Sequence, residues 1–590
     1  MHQRNERLIN AKINQYLVPG IMMALSLQLG NILDTIMVGN FLGTDAMTAV
    51  ALSIPVETII QMPGYCLGTG GALAAGVMLG RREREKASGV FTLTFFTVLI
   101  SSVLFSVLAF FATDPLAQML AAKAGVAELT GDYIFVSMLG APFIGIGLLM
   151  VSYLGAENHP ELSSAYLIIS NVINLFLDFI FLKYTPLGTK GAALSTILGY
   201  AVGMVVFLKY IHSPKRMIGF VKAPPFALMK EAVVMGAPVF VFMAMSFVKA
   251  LGLNTIIVSL TGQDGMAIYT VCDNILMIVE MLSGGIIGII PNMAGILYGE
   301  KDYYGIRVLC KRTLQYSFIV VFAAVVFIMI FTVQVTKLFG ITEPVLQGEM
   351  VAALRIYIFS LPFYLWNKFL ISYYESIEET AQASVITFLQ NCLYILPAAL
   401  LGILLGQALG GTGVNGLALA FICAEVLTAV SAYVYRKMKY KKSDFYILPA
   451  ENDGVNLDFS VAASLDEAVK VPKEIMAFCE ENGVLPNTAN LAAMASEEMT
   501  VNIIKYGGKS AQWIDVNLSI EEEEMRLRIR DNGKPFNPAE YAFDGDGYEI
   551  HGIELVKRIS SKIDYMRTMD MNNTVIAFAR QEEKNGSKEV

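Results

Sequence analysis

The feature that most constrains this chain is a repeated one. Apolar runs of about 20 residues, long enough for a helix to cross the hydrocarbon core of a bilayer, recur between short polar breaks. Their centres fall near residues 26, 63, 100, 143, 174, 201, 245, 281, 322, 362, 394 and 425. A chain patterned this way is expected to be an α-helical polytopic membrane protein of about twelve transmembrane helices, because lipid offers the backbone no hydrogen-bond partner. Only 16% of the 590 residues are charged, against about 25% in an average soluble domain. The deficit is one-sided. Residues 1–446 hold 28 Lys and Arg and 25 Asp and Glu, a net charge of +3, whereas residues 447–590 hold 15 and 26, a net charge of −11. The solvent therefore changes near residue 446, from lipid to water.

The six cysteines, Cys66, Cys272, Cys310, Cys392, Cys423 and Cys479, form no CxxC pair, which speaks against a disulfide framework and against zinc. The start, MHQRNERLINAKINQ, is polar and its first apolar run continues too far for a cleavable signal.

Positive charge sets the expected orientation. Intervals after even-numbered runs hold Arg81, Arg82, Arg84 and Lys86, then Lys215, Arg216 and Lys222, then Lys301, Arg307, Lys311 and Arg312; the last exit holds Arg436, Lys437, Lys439, Lys441 and Lys442. The other side holds Lys123, Lys183, Lys190, Lys337 and Arg355. Both termini are expected in the cytoplasm, in a bacterial-type inner membrane.

The two halves echo each other at an offset near 220. GTGGALAAGVMLGRRERE is answered by GGIIGIIPNMAGILYGEKDY, and SYLGAENHPELSSA by SYYESIEETAQASV. The expected domains are a membrane N-lobe, 1–225, and a membrane C-lobe, 226–446, as two parallel six-helix repeats. Paired bundles of this kind are typical of secondary transporters.

An ionisable side chain in mid-bilayer costs about 2.5–3.5 kcal/mol on insertion scales, so one that persists points to an ion or substrate path. Asp34 lies in the first run, and Asp178 in the fifth, four residues after Asn174 and so on the same helix face. Thr196 opens the sixth. Two carboxylates, an amide and a hydroxyl could hold one proton or a small hard cation; the alternative is that these groups sit at helix ends and meet headgroup water. Pro19 removes a backbone hydrogen bond and offers a bend. Asp273 and Glu280, seven apart on one face, could line a C-lobe cavity or pair with Lys249. Lys368 is a further charge within an apolar run.

The patterns N-x-x-D-T-x-x-V-G-x-x-L-G at Asn31–Gly43, N-x-x-x-L-D around Asn174 and Asp178, and G-A-A-L-S-T at Gly191–Thr196 resemble the multidrug and toxin extrusion family over roughly residues 10–440. The resemblance implies export of amphipathic, often cationic compounds driven by inward Na⁺ or H⁺. It also implies a cation-coupling site of Asp34, Asn174, Asp178 and Thr196, with the helix-one bend at Pro19.

After a basic exit and a polar linker, 447–454, the periodicity changes. NLDFSVAA, QWIDVNLSI and MRLRIRDNG alternate as strands, the last two joined by a charged turn at Glu521–Glu524, with further strands near 564–569 and 574–580. Helices are expected from Ser464 to Gly483, over PNTANLAAMASEEMTVNIIKYG, and over HGIELVKRISSKID. The expectation is an α/β sandwich over 455–585.

Glu498 and Asn502 are four apart, so a carboxylate that could activate a hydroxyl stands beside an amide that could ligate Mg²⁺. Lys505, one turn on, could reach a phosphate. Asp531-Asn532-Gly533 ends a strand, where a buried Asp could accept from an adenine amino group. Gly552 opens a helix whose N-terminus suits phosphate. Each motif alone also fits a solvated helix face or a plain turn.

Their order, closed by N-T-V-I-A-F, resembles the ATP-binding fold shared by gyrase, sensor histidine kinases and anti-sigma-factor serine kinases, the last most of all. That resemblance implies Glu498 as catalytic base, Asn502 as Mg²⁺ ligand, Asp531 as adenine contact, and Gly533, Gly552 and Thr574 as pocket residues. Two positions depart from it: Lys534-Pro535 stands where a second glycine is usual, and Ile550 where the helix would gain its first glycine. These departures favour binding over turnover.

No GxxxxGK[ST] loop is present, which excludes a P-loop pump. The four histidines offer no phosphoacceptor helix before the ATP fold. The reading is a cation-coupled exporter of small amphipathic compounds carrying a cytoplasmic ATP-binding regulatory domain with a protein partner of its own, and no nucleic acid. Two rivals are a membrane-tethered serine kinase or switch that uses the helices as sensor or anchor, and a lipid-linked precursor flippase.

Overall fold

The computed structural model describes residues 4–121, 125–211, 216–337, 344–440, 455–508, 510–521, 524–541 and 551–579. The expected linker, 447–454, and Ile550 lie outside them. The chain forms two compact units, one from Ile13–Asp302 and Leu309–Ile447, the other from Met1–Lys12, Tyr303–Val308 and Leu448–Val590.

Helices α1 (Arg7–Leu42), α2 (Thr44–Gly80), α3 (Arg84–Ala121), α4 (Ala127–Leu139), α5 (Ala141–Ala156), α6 (Pro160–Tyr184), α7 (Thr189–Gly203) and α8 (Val205–Ile211) cover the expected N-lobe. Then come α9 (Leu228–Ile287), α10 (Ile289–Gly299), α11 (Tyr303–Lys337), α12 (Pro344–Tyr357), α13 (Leu361–Ser376), α14 (Thr380–Phe388), α15 (Ile395–Ala408) and α16 (Val414–Tyr440). Among the described residues ten helices are long and apolar enough to cross a membrane, or eleven if α4 and α5, bent by 57°, make one span. The helix α1, 36 residues long, lies at the first of the dozen expected centres. Glycine divides α9 at Gly262, whose φ of +71° is left-handed.

The outer faces of these helices identify their solvent. Phe110, Phe111 and Phe322 are 68–75% exposed. Large aromatic groups so displayed would be costly in water and are at ease in acyl chains.

Duplication is written into the turns. Arg82 and Lys301, and likewise Asn158 and Glu378, have φ between +58° and +67°, uncommon for residues with a Cβ. In each case the next residue's N–H reaches back five positions: Glu83 to the Met78 carbonyl and Asp302 to Leu297 (both 2.8 Å), His159 to Leu154 (2.8 Å) and Glu379 to Tyr374 (3.0 Å). The same helix-ending hydrogen bond therefore recurs at the offset read from sequence.

In the other unit five antiparallel strands run in the order β1-β2-β3-β5-β4: β1 Val455–Ala462, β2 Trp513–Ile520, β3 Glu524–Asp531, β4 Lys562–Thr568 and β5 Met571–Ala579. Strand alternation sends Phe459, Val516, Leu527 and Ile576 into one core with α18 (Lys470–Glu481) and α19 (Pro486–Tyr506). Each such side chain contributes about 1.5–3 kcal/mol by leaving water. The short α17 (Leu465–Ala468) is capped as expected, Ser464 Oγ accepting from Glu467 N at 3.4 Å. The last helix, α20, spans His551–Ile559. In the same unit Arg4 bridges Asp458 (3.1 Å) and Asp515 (3.3 Å), so the segment before α1 belongs with the sheet.

Close helix packing in the membrane unit depends on glycine. A Cβ on Gly70 of α2 would stand 2.2 Å from the Ala232 carbonyl and 2.4 Å from Gly236 N of α9, against backbone that cannot yield. A Cβ on Gly284 would meet nothing within 4 Å. Gly70→Ala is expected to destabilise by about 1–3 kcal/mol or more, whereas Gly284→Ala stays within about 1 kcal/mol of the parent or gains slightly. Thermal unfolding of the two variants in detergent checks this.

Candidate functional site

Two constellations stand out, one in each unit. In the membrane unit α6 and α7 pack closely because Gly199 has no side chain; a Cβ there would lie 2.5 Å from the Ser170 carbonyl and 3.2 Å from Asn174 Cβ. Asn174 and Asp178, one turn apart on α6, thereby face Ser195 and Thr196 on α7. Asn174 Nδ2 donates to Thr196 Oγ1 at 3.1 Å, and Ser195 Oγ donates to Asp178 Oδ1. Asp178 is fully buried.

Asp34 of α1 completes the group. Its carboxyl lies within hydrogen-bonding reach of Asp178 and of Asn174. Gly30, one turn earlier, allows the approach, since its Cβ would collide with Asn171 Oδ1 at 2.5 Å. Asn171 Nδ2 in turn donates to the Ser26 carbonyl and hydroxyl at 2.6 and 2.8 Å, tying α6 to α1. Among the described residues Asp34 Oδ1 and Asp178 Oδ2 are buried with no hydrogen-bond donor. Two neighbouring buried carboxylates with orphaned oxygens repel unless a proton or a cation neutralises the pair. No trio of His, Cys, Asp and Glu able to hold a metal occurs among the described residues, so the oxygens to hand are two carboxylates, an amide and hydroxyls.

All four expected residues, Asp34, Asn174, Asp178 and Thr196, thus meet. Pro19 lies inside α1, and its carbonyl accepts from Ser164 Oγ at 2.7 Å. Pro19 also borders a cavity of about 210 Å³ that is mostly apolar, with Tyr16, Tyr65, Thr69, Ser152, Ser163 and Asn292 as its polar lining. Sequence reasoning passed over Ser195, which stood inside the quoted G-A-A-L-S-T. It also passed over Glu57, whose carboxyl interacts with Tyr133 and with the Asp34 charge; an acid in the apolar run SIPVETII carried the same signal as Asp34.

In the second lobe Tyr357 donates to Asp273 Oδ1 at 3.2 Å, while Lys249 Nζ stands 5.7 Å from the Phe421 ring. Glu425 is held by Asn367 Nδ2 at 2.8 Å and Gln390 Nε2 at 2.9 Å.

In the unit built on the sheet, Asn502 Nδ2 donates to Glu498 Oε1 at 2.8 Å along α19. Gly552, at the start of α20, lies against that carboxylate; any Cβ there would fall on Glu498. Asp531 ends β3 with 2% exposure and accepts at Oδ1 from Gly533 N (2.7 Å) and Asn572 Nδ2 (2.9 Å). Burial pushes its carboxyl above the ordinary range, while these two donors and the Arg567 charge pull it back. A small cavity of about 30 Å³ is lined by Asn502, Tyr506, Asp531, Lys534, Phe536 and Thr574, among others. Lys505 is exposed and does not line it. The arrangement offers a narrow slot with a buried acceptor, Asp531, and the Asn502 amide of the carboxylate–amide pair on its wall. Phe536, Asn572 and Arg567 carried no spacing signal and come from the fold alone.

Comparison with known proteins agrees with both halves. Residues 461–578 match the histidine kinase-like ATPase domain. The multidrug export protein MepA of Staphylococcus saprophyticus is 24% identical over 426 residues, 70% of this chain and 90% of that protein. MepA of Staphylococcus haemolyticus is 25% identical over 267 residues, which span 59% of that relative and 45% of this chain. Among solved structures, a MOP superfamily transporter from Pyrococcus furiosus aligns with a TM-score of 0.66 at 23% identity, covering 73% of this chain and 96% of the other. An outward-facing multidrug resistance MATE family transporter aligns at 0.67 and 22%, covering 73% and 95%. With residues 19–180 and 238–401 matching the MatE family model, more than half of its length, the chain belongs to the MatE family.

Proposed function

We propose that the chain is a multidrug exporter driven by a Na⁺ or H⁺ gradient and regulated through a nucleotide-binding domain. The observation that carries this is the pair of orphaned oxygens, Asp34 Oδ1 and Asp178 Oδ2, buried on two interacting carboxyls of the helix bundle. A proton or small cation between them satisfies both oxygens. Its departure leaves two repelling charges in low dielectric, a strong reason for α1 to change position relative to α6. Ser195 and Asn174, hydrogen-bonded to this pair and to Thr196, register the change on α7. The cavity beside Pro19 is mostly apolar with a few hydroxyl and amide groups, chemistry that suits amphipathic cargo. Orientation follows from the basic residues: the turns at Arg81–Lys86 and Lys301–Arg312 and the end of α16 face the cytoplasm, and both termini with them.

In the sheet unit Asp531 and Thr574 would hold the adenine of ATP, Asn502 would ligate Mg²⁺, and Glu498 would activate a hydroxyl. Bound nucleotide would supply a phosphoryl group and a charge-dense ligand that Gly552 and the start of α20 could recognise. Glu498 is already hydrogen-bonded to Asn502 and pressed by Gly552, which supports a binding switch ahead of a transport motor. Lys534 in place of a small residue narrows the slot in the same direction.

Asp34→Asn and Asp178→Asn each remove a charge and a proton site at nearly constant volume. Each is expected to abolish gradient-driven export in proteoliposomes while insertion and unfolding temperature are retained; undiminished export in both would remove the pair from the mechanism. Asp531→Ala is expected to weaken ATP binding by about 1–3 kcal/mol through loss of a charged hydrogen bond. Calorimetry on the full chain reads this, and equal affinity in parent and variant would dissociate Asp531 from the base.

A further inference from the structure

Behind Asp531 stands a chain of hydrogen bonds that no motif marks. Arg567 on β4 donates from Nη1 to Asn572 Oδ1 (2.8 Å) and to the Gly533 carbonyl (3.1 Å). Tyr565 OH donates to the same Asn572 Oδ1 at 2.8 Å. Two donors on the oxygen leave the Asn572 amide a single orientation, because a flipped amide would turn its N–H groups toward a guanidinium that cannot accept. Asn572 Nδ2 therefore points forward, to Asp531 Oδ1 (2.9 Å) and to the Lys534 carbonyl (2.9 Å). Arg567 is itself held by Asp570 at 2.8 Å. Both carbonyls of the turn after Asp531, Gly533 and Lys534, are thus anchored by side chains.

We propose that Arg567 and Asn572 are positioning residues that keep Asp531 a pure acceptor and so make the pocket select a 6-amino purine over a 6-oxo purine. The inference rests on the nucleotide reading above. With Oδ1 taken by Gly533 N and Asn572 Nδ2, Oδ2 is left for the ligand, and Asp531 lines the cavity. An ionised carboxylate there welcomes an amino donor and repels a ring carbonyl. A protonated one could donate to that carbonyl, and the choice between bases would be lost.

Burial favours the protonated form, whereas Gly533 N–H, Asn572 and Arg567 favour the ionised one. The groups facing Asp531 are Arg567 and Tyr565 of β4, Asn572 and Thr574 of β5, Asn502 and Tyr506 of α19, and Lys534 of the turn. Asp570, behind Arg567, also lies 3.9 Å from Lys12 Nζ. Because the folded-state carboxyl is shifted upward, acceptor strength is present at high pH and lost as pH falls through its titration. Removing the Arg567 charge moves that loss to higher pH.

The test is ATP and ITP binding to the full chain in detergent, measured by calorimetry across pH for the parent, Arg567→Met, Arg567→Lys and Asn572→Leu. The parent is expected to bind ATP on the order of tenfold tighter than ITP. Both Arg567→Met and Asn572→Leu are expected to bring that ratio toward one, and Arg567→Met to shift the acid loss of ATP binding to higher pH than in the parent. Arg567→Lys keeps the charge and should restore the pH profile. Since loss of Arg567 could loosen the β4–β5 hairpin, unfolding temperatures are read alongside, and Asn572→Leu reports the same relay from the other strand. A parent that binds neither nucleotide overturns the nucleotide reading, and this inference with it. A parent that binds ATP selectively, with both variants keeping its ratio and its pH profile, overturns the inference alone.

Discussion

In hydrocarbon every backbone N–H must find its carbonyl within the protein, which a helix does within its own segment, and most of this molecule follows from that. It makes the spans helical and removes the hydrophobic effect as glue between them. Packing must then come from close backbone approach. Gly70 against Gly236 and Gly199 against Ser170 are its working points, since in each a single methyl group would strike backbone. The same constraint makes every polar side chain in the bundle conspicuous. Most are hydroxyls returned to their own helix, as Thr113 to Ala109 and Thr332 to Ile328. Asp34 and Asp178 are not discharged in this way, because each keeps an oxygen with no donor among the described residues.

The sheet unit solves the opposite problem. Water is free to satisfy its surface, so a buried carboxylate there must be justified by the fold. Asp531 is justified by two donors on one oxygen and a guanidinium behind them. Both sites therefore share a logic: a carboxylate taken out of water with one oxygen held by donors of the fold, Ser195 at Asp178 and Gly533 with Asn572 at Asp531. What differs, on the proposed reading, is the ligand: a proton or small cation at two acids in lipid, and a neutral amino group beside a single acid in the sheet.

Much of this was legible in the sequence for physical reasons. Hydrophobic run length placed the helices, and alternation placed β1, β2 and β3. The duplicated punctuation survives as identical left-handed turns at Arg82 and Lys301 and at Asn158 and Glu378. Spacing of four on a helix put Asn174 with Asp178 and Glu498 with Asn502. What spacing cannot carry is contact across elements. Ser195 reaches Asp178 because Gly199 brings α7 onto α6. Arg567 reaches Gly533 because β4 lies beside β5 at the end of the sheet order. Lys505 has the spacing of the motif but stands exposed and off the cavity wall, which the next residue, Tyr506, helps to line.

The central claim is that the ion gradient, acting at the Asp34–Asp178 pair, sets the direction of transport, and that nucleotide modulates it. The most direct measurement follows cargo flux in proteoliposomes without nucleotide while the imposed Na⁺ or H⁺ gradient is reversed. Cargo flux that reverses with the gradient is the predicted result. Flux that is indifferent to both gradients and begins only when ATP is added would contradict the account.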